Sequence, residues 1–393
     1  MAIQSLYPTV RPSLMMDFAN TRTLDPRITF TRASTATFFN QNGVLQTAAV
    51  NTPRFDHNPV TGESLGLLIE EQRTNLFIYS GFDAGLTGWN GASANIFVGT
   101  PGVFGLFGTT TPIRISHNPN GLEALFQLPS LMSGATYTIT AFVRMVDGMP
   151  PAFNGPATGS GRDFDLVIGN TLPQNAYTVE NVGGGLYKVF AAVPAGSGGH
   201  SGIYKYQSNN NRAFDVIAVQ LESGAFPTSY IPTTTSQVTR AQDFASLSNA
   251  GFGDASGALS VLVDAFSFMP SVDFLGSGYV QIGRLTYGKY NFSFGFFSNS
   301  PADYFGTLGN FGPDSVFNRR AAFSISSLGY SHVFNGGPVF SSSNTGPFSR
   351  VSGGLIHIGR NLESFDNALN GHVRKLKIYP SALPAAQLQA LTT

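Results

Sequence analysis

Apolar and polar positions alternate with a period of two along most of this chain, and a helical period appears only in its last dozen residues. The clearest alternating runs are 137–144, 185–193 and 213–222, followed by 257–268, 279–283, 290–297, 355–360 and 369–379. In the last of these, Leu376 and Ile378 share one face and Lys375 and Lys377 the other, the pattern of a half-solvated strand. Between runs stand Gly, Pro and Asn. Asn42-Gly43, between two short apolar stretches, predicts a hairpin, because both residues tolerate positive φ. A second tight turn is expected at 58–62, leading into the apolar strand 65–69, and a third at Asn335-Gly336. Residues 381–391 predict a short helix with Pro384 in its first turn and Leu388 and Leu391 on one stripe.

These signals give an all-β protein. The Pro- and Thr-rich stretch 228–236 is expected to be an extended linker closing a middle unit. The chain therefore divides into an N-terminal β segment with a hairpin (1–75), a β-sandwich of jelly-roll type (76–240) and a second β-sandwich (244–393).

Composition sharpens the picture. Of 393 residues 42% are apolar, enough for real cores, but only 11% are charged, far below the roughly 25% usual in soluble domains. The surface must then be wetted by Ser, Thr, Asn, Gln and Gly, a style of secreted or particle-borne β-proteins. Basic and acidic residues balance at 22 each without a basic run, which argues against a nucleic-acid partner. No stretch approaches the roughly 20 apolar residues of a membrane span. The absence of Cys excludes disulfides and thiolate metal sites. Residues 1–8 lack a basic segment followed by an apolar one, so no export signal is expected there.

Candidate chemistry is sparse. Glu70 and Glu71 are adjacent and would point to opposite faces of a strand, so they cannot flank one glycosidic bond; with Arg73 they read as an ion-pair cluster at a domain junction. Asp163 and Asp165 share a strand face and suggest calcium or a solvated edge before catalysis. The six His residues are scattered without metal-ligand spacing, and Trp89 reads as a core residue. Sugar binding needs aromatic faces and planar polar groups. The candidates are Tyr204, Tyr206, Asn209, Asn210 and Arg212 in loops at the tip of the middle unit, and Tyr304, Asn318, Arg319 and Arg320 in the last one.

Two sets of residues carry a family resemblance. Thr52-Pro53-Arg54-Phe55-Asp56, the run Gly66-Leu67-Leu68-Ile69-Glu70-Glu71-Gln72-Arg73-Thr74-Asn75-Leu76 and Phe226-Pro227-Thr228-Ser229-Tyr230-Ile231-Pro232 together resemble phage and prophage virion proteins of the tail-fibre, head-fibre or minor structural type. In such proteins the middle segment looks like a carbohydrate-binding jelly roll. Ile356-His357-Ile358-Gly359-Arg360 with Leu369-Asn370-Gly371-His372-Val373-Arg374-Lys375-Leu376-Lys377-Ile378-Tyr379 is similar to the closing strands of concanavalin A-like or laminin-G-like sandwiches.

The resemblance implies a non-enzymatic virion protein, a fibre or spike made in the host cytoplasm and exposed on the released particle. Its N-terminal segment would dock on other virion proteins, it would assemble as a homotrimer, and its sandwiches would bind host-surface glycans. Laminin-G-like modules often hold calcium, and a jelly roll can carry a structural calcium at its edges; Asp83 and Asp215 are the candidate oxygen ligands here. Two other readings remain open: a capsid-decorating protein without receptor binding, and a capsule-degrading glycan hydrolase or lyase.

Overall fold

The computed structural model describes residues 7–104, 107–174, 177–248, 258–267, 279–287, 290–297, 317–326, 329–342, 355–359 and 369–393. They form strands arranged in sheets, with one helix, Ala385–Thr392. The all-β expectation holds. None of the described helical residues forms a segment long and apolar enough to cross a membrane.

The middle unit is a sandwich. Its six-stranded sheet runs Thr178–Gly183, Leu186–Pro194, Thr136–Met145, Phe214–Ser223, Ile113–Ile115, Ile96–Val98. The facing sheet has three strands, Glu123–Gln127, Ser201–Lys205 and Asp165–Val167. Every second residue points into one core: Ile139, Ala141 and Val143 from one sheet meet Leu125, Leu166 and Ile203 from the other, all essentially unexposed. Trp89 belongs to this core, 5.1 Å from Phe77 and 5.2 Å from Phe82 between ring centroids, with its indole N–H donating to the Tyr79 carbonyl at 3.1 Å.

The second sandwich draws on both ends of the chain. One sheet runs Phe340–Ser342, Gly329–Phe334, Phe317–Ser326, Leu259–Ser267, Gly371–Tyr379, Ser64–Ile69, Phe55–His57, with Leu14–Asp17 also pairing to Gly371–Tyr379. The other runs Thr29–Thr31, Phe244–Ser248, Leu355–Ile358, Tyr279–Tyr287, Tyr290–Phe297. Leu14, Met16, Leu67 and Ile69 share a core with Val261, Val263, Leu376 and Ile378. The N-terminal segment is thus not a separate structural unit. Its strands complete the C-terminal sandwich because their apolar faces find no other sheet to cover them. The middle sandwich is an insertion into this one. The chain enters it through Arg73–Asn75 and leaves through Val238–Arg240, two strands that pair antiparallel.

Two further expectations change. The hairpin joining Ala36–Phe39 to Leu45–Ala48 turns on Asn40 as well as Gly43: the Asn40 side chain accepts from the Asn42 and Val44 amides, and Gly43 supplies the positive φ of 70°. Of the stretch expected to be a linker, 228–231 and Thr233 pack as a strap, while Pro232 and 234–236 are exposed. Tyr230 is buried among Phe104, Phe107, Phe142 and Phe39 against the outer face of the six-stranded sheet, and its hydroxyl lies 2.8 Å from that of Ser80. A Thr-rich segment escapes the core by polarity alone; here Thr228 and Thr233 are held by hydrogen bonds to Glu222 and to the Phe77 carbonyl instead.

Candidate functional site

Among the described residues, one cluster of buried charge lies at the junction of the two sandwiches. Arg54 follows the buried hairpin contacts and precedes a strand; its guanidinium donates to Glu70 at 2.7 Å, Asp243 at 2.5 Å, the Ser229 hydroxyl at 2.8 Å and the Thr37 carbonyl at 3.0 Å. Arg32 takes the other Asp243 oxygen at 2.9 Å, and Arg240 lies 3.3 Å from Glu70. Glu71 pairs with Arg73 at 2.5 Å. The ion-pair reading of Glu70, Glu71 and Arg73 therefore holds, with Arg32, Arg54, Arg240 and Asp243 added from distant parts of the chain. Burial alone would raise the Glu70 carboxyl, but Arg240, Arg54 and the Ser229 donors overcome it and hold it down at about 2. Burial would likewise depress Arg54, and Asp243 and Glu70 more than restore it. With side chains unexposed, Glu70 and Asp243 tie elements together and meet no substrate.

A different surface can meet one. On the three-stranded sheet of the middle unit, alternation puts Leu125, Ile203 and Leu166 inward and Phe126, Tyr204 and Asp165 outward, with Tyr204 registered against Ala124 and Asp165. The outward aromatics continue at the strand ends into a row. His200 lies 4.6 Å from Phe126, Phe126 6.1 Å from Tyr204, and Tyr204 6.3 Å from Tyr206, all at interplanar angles of 29–36°. Gly202 makes the row possible: a Cβ there would stand 2.1 Å from the Leu125 carbonyl oxygen and 2.7 Å from the Phe126 Cα. Burial, reinforced by Tyr206, pushes the Tyr204 phenol up to about 12; burial and then Asp165 raise Tyr206. Both stay neutral phenols at physiological pH, and neither hydroxyl hydrogen-bonds within the described residues.

Beside the row lies a buried polar network. Arg162 donates to Asp165 at 2.5 Å, and Arg212 to Asp163 at 2.5 Å and to Asp147 at 2.6 and 2.8 Å. The Lys205 ammonium donates to the Asp163 and Asn210 carbonyls at 2.7 and 2.8 Å. Burial, together with Arg212, lowers Lys205 to about 8 against the pull of Asp163. Three cations thus occupy the place where calcium or a solvated edge was expected at Asp163 and Asp165.

The sequence candidates distribute as follows. Tyr204 and Tyr206 belong to the aromatic row, but Tyr204 lies on a strand, not a loop, and is only 7% exposed. Asn209 is buried too, capping the Tyr206 amide with its Oδ1 and reaching the Gly159 carbonyl. Asn210 and Arg212 brace Asp163. These three shape the loop beside the row. Tyr304 lies outside the described residues; of Asn318 and Arg319 only the backbone is described, opposite Phe266 and Ala265. Arg320 lies on the same strand, half-exposed, 3.3 Å from Asp264.

Asp83 and Asp215 do not form a calcium cage. Both Asp215 oxygens are taken by guanidiniums, Arg114 at 2.5 Å and Arg144 at 3.1 Å, while Asp83 is exposed beside Gly81 and the Tyr230 hydroxyl. A carboxylate already neutralised by two arginines does not fit a divalent ion. Among the described residues no three His, Asp or Glu side chains converge on a metal position. Phe126 and His200 were missed by sequence reasoning; the alternation of Glu-Ala-Leu-Phe-Gln at 123–127 was the signal that could have exposed Phe126.

No family model matches the chain, and no curated protein does. Among solved structures, domain 4 of AbnA, a GH43 extracellular arabinanase from Geobacillus stearothermophilus in complex with arabinotriose, is similar at 14% identity and a TM-score of 0.29, over 44% of this chain and 84% of that one. The CBM22-1–CBM22-2 tandem of Paenibacillus barcinonensis Xyn10C gives 10% and 0.28, over 81% and 99%. A Trypanosoma rangeli sialidase gives 10% and 0.24, over 76% and 61%. At such TM-scores the likeness carries no argument about family or activity.

Proposed function

We propose that the chain is a bacteriophage virion structural protein, a tail- or head-fibre or spike component, that binds host-surface glycans through its β-sandwiches and does not cleave them. The observation that carries the glycan reading is the row His200–Phe126–Tyr204–Tyr206 on the outer face of a sheet. Such a row offers the π-faces of His200, Phe126 and Tyr206 to pyranose rings, with Tyr204 packed between them as the buried ring that spaces them. The placement on a virion rests on the resemblance of the segments around Arg54, Glu70–Asn75 and Phe226–Pro232, which are the segments that build the junction cluster.

A glycan array with the full chain, run beside a capsule-degradation assay, tests this. Binding without product release, lost in Phe126→Ala and Tyr204→Ala while the fold persists by circular dichroism, supports the proposal. Product release from a polysaccharide overturns the non-enzymatic part. Binding that survives both substitutions removes the row as the site. Imaging of particles with a labelled copy tests the virion location, and a labelled protein absent from particles refutes it.

A further inference from the structure

We infer that the outer face of the three-stranded sheet takes an uncharged polysaccharide, holding an internal stretch of several linked pyranoses along the strands. The inference rests on the glycan-binding reading of the aromatic row and adds to it the charge, length and direction of the ligand.

Strand register extends this face beyond the row. Glu123–Gln127 pairs with Ser201–Lys205 so that Glu123 stands opposite Lys205 and Gln127 opposite Ser201. Alternation sends Leu125 and Ile203 into the core and leaves Ala124, Phe126 and Tyr204 on the outer side. One further step at each end sets Leu122 level with Tyr206 and Leu128 level with His200. Both leucines are exposed, Leu122 at 48% and Leu128 at 59%. Leu128 lies against Gly199, where a Cβ would stand 3.5 Å from the leucine Cδ2, so it belongs to the His200 end. The face is therefore two strands wide and apolar at both margins. Exposed aliphatic side chains adjoining aromatic rings are the mark of a surface that a ligand covers.

Its length excludes a single sugar as the full ligand. Phe126 stands opposite Gly202, and with no side chain there its ring falls into line with the neighbouring strand, 4.6 Å from His200 and 6.1 Å from Tyr204. From His200 to Tyr206 is six residues of extended chain, about 20 Å at roughly 3.3 Å each. One pyranose covers only part of that. The accessible rings stand toward the two ends, His200 and Phe126 at one and Tyr206 at the other, with Tyr204 buried between them. Both ends run out onto exposed residues, His200 on one side and Gln207 and Ser208 on the other. A glycan lying along the strands can continue past either end, which suits an internal stretch and not a chain terminus.

Charge decides the ligand class. The three strands of the sheet contribute Glu123, Asp165 and Lys205, none more than 5% exposed. Each is engaged inside the fold. Glu123 accepts from the Ser93 hydroxyl and from the Asn95 and Asn118 carboxamides, and Asp165 accepts from Arg162. Lys205 donates to the carbonyls of Asp163 and Asn210. Arg212, in the loop that follows Tyr206, is clamped by Asp147 and Asp163. A uronate or sulfate laid on this face would give up water against rings and leucines, with no ammonium or guanidinium of these strands left to answer it. A neutral sugar buries its C–H face on the rings and keeps its hydroxyls at the margin, within the donor and acceptor capacity of the Tyr206 hydroxyl.

Binding of the full chain to immobilised polysaccharides, followed by biolayer interferometry, tests the assignment. The panel pairs dextran with carboxymethyl dextran, hydroxyethylcellulose with carboxymethylcellulose, and galactomannan with polygalacturonate, so that neutral and acidic polymers are compared directly. Neutral polymer should bind, its acidic counterpart should not, and affinity should be the same at low and high salt. Oligosaccharides cut from the polymer that binds should gain affinity with length until the row is spanned. Phe126→Ala, Tyr206→Ala and Leu128→Ser should each lower affinity about threefold or more, the loss of one stacking or apolar contact. Binding only of acidic polymers, weakened by salt and lost in Phe126→Ala, would overturn this inference while leaving the row as the site. A single sugar that binds as tightly as its longer oligomers would do the same. Unchanged binding in the folded Phe126→Ala and Tyr206→Ala variants, or no binding to any polymer, would overturn both. A dimer in sedimentation that these substitutions dissolve would give the face to a second copy of the chain and overturn it as well.

Discussion

Arg54→Met is the most searching perturbation of this fold. The native side chain is fully buried and makes four hydrogen bonds, two of them to the carboxylates of Glu70 and Asp243. Methionine keeps the length and apolar stem and removes the charge. Breaking a buried ion pair by deleting one partner costs roughly 3–5 kcal/mol, because the other charge stays buried. Here Glu70 would keep Arg240 at 3.3 Å and the Ser229 donors, and Asp243 would keep Arg32 at 2.9 Å. That compensation places the loss near the lower bound, about 3 kcal/mol. Urea unfolding followed by two probes measures it. Trp89, the single tryptophan, reports the inserted sandwich; far-UV circular dichroism reports both. The substitution should lower the dichroism midpoint and split it from the Trp89 midpoint, since the cluster joins the two units. Adding Glu70→Gln should recover part of the loss, a non-additivity expected of groups in one network. A loss under about 1 kcal/mol, the range of exposed pairs, would refute the reasoning by showing that the cluster is solvated.

Glu222 gives a pH prediction. Burial raises its carboxyl to about 7, against the lowering effects of Arg73, Arg240 and Thr228. The folded chain then holds a proton that the unfolded chain releases near 4.5, so this contribution is whole below 4.5 and is lost as pH rises through 7. Thermal melts should show wild type losing about 2–3 kcal/mol relative to Glu222→Gln between pH 5 and pH 8; parallel curves would contradict it. Gly91→Ala should destabilise by about 2 kcal/mol or more and weaken glycan binding at Phe126: Gly91 has φ of +103° and its Cβ would lie 1.7 Å from the Ala124 carbonyl oxygen. Trp89 fluorescence melts check the first effect. Lys205→Met removes the ammonium that ties the Asp163 and Asn210 carbonyls, and hydrogen exchange over residues 147–163 should accelerate while the core strands keep their protection.

What the sequence could and could not reveal follows from how far each interaction reaches. Period-two runs reported strands well, since alternation is local: Thr136–Met145, Leu186–Pro194 and Phe214–Ser223 all lie where the pattern put them. Turns were legible for the same reason, Gly43 and Gly62 taking the positive φ their neighbours could not. Alternation says that a face is apolar, but not what will cover it. Leu67 pairs with Val373 and Leu14 with Ile378, across some three hundred residues, and nothing within residues 1–75 distinguishes a docking arm from the missing strands of a distant sheet. Charge was more informative where it was scarce. In a chain this poor in ions, a run of Glu70, Glu71 and Arg73 had to be paired, and it was; its partners Arg54, Arg32 and Asp243 were out of reach of any local rule. The site was legible by half. Tyr204 and Tyr206 stood out as aromatics next to polar loops, yet a binding row is a cross-strand object. Phe126 and His200 join it only through the pairing of Glu123–Gln127 with Ser201–Lys205, which exists once Gly202 has let the strands close. The same glycine that reads as a strand weakness in sequence is what brings the aromatic faces into line.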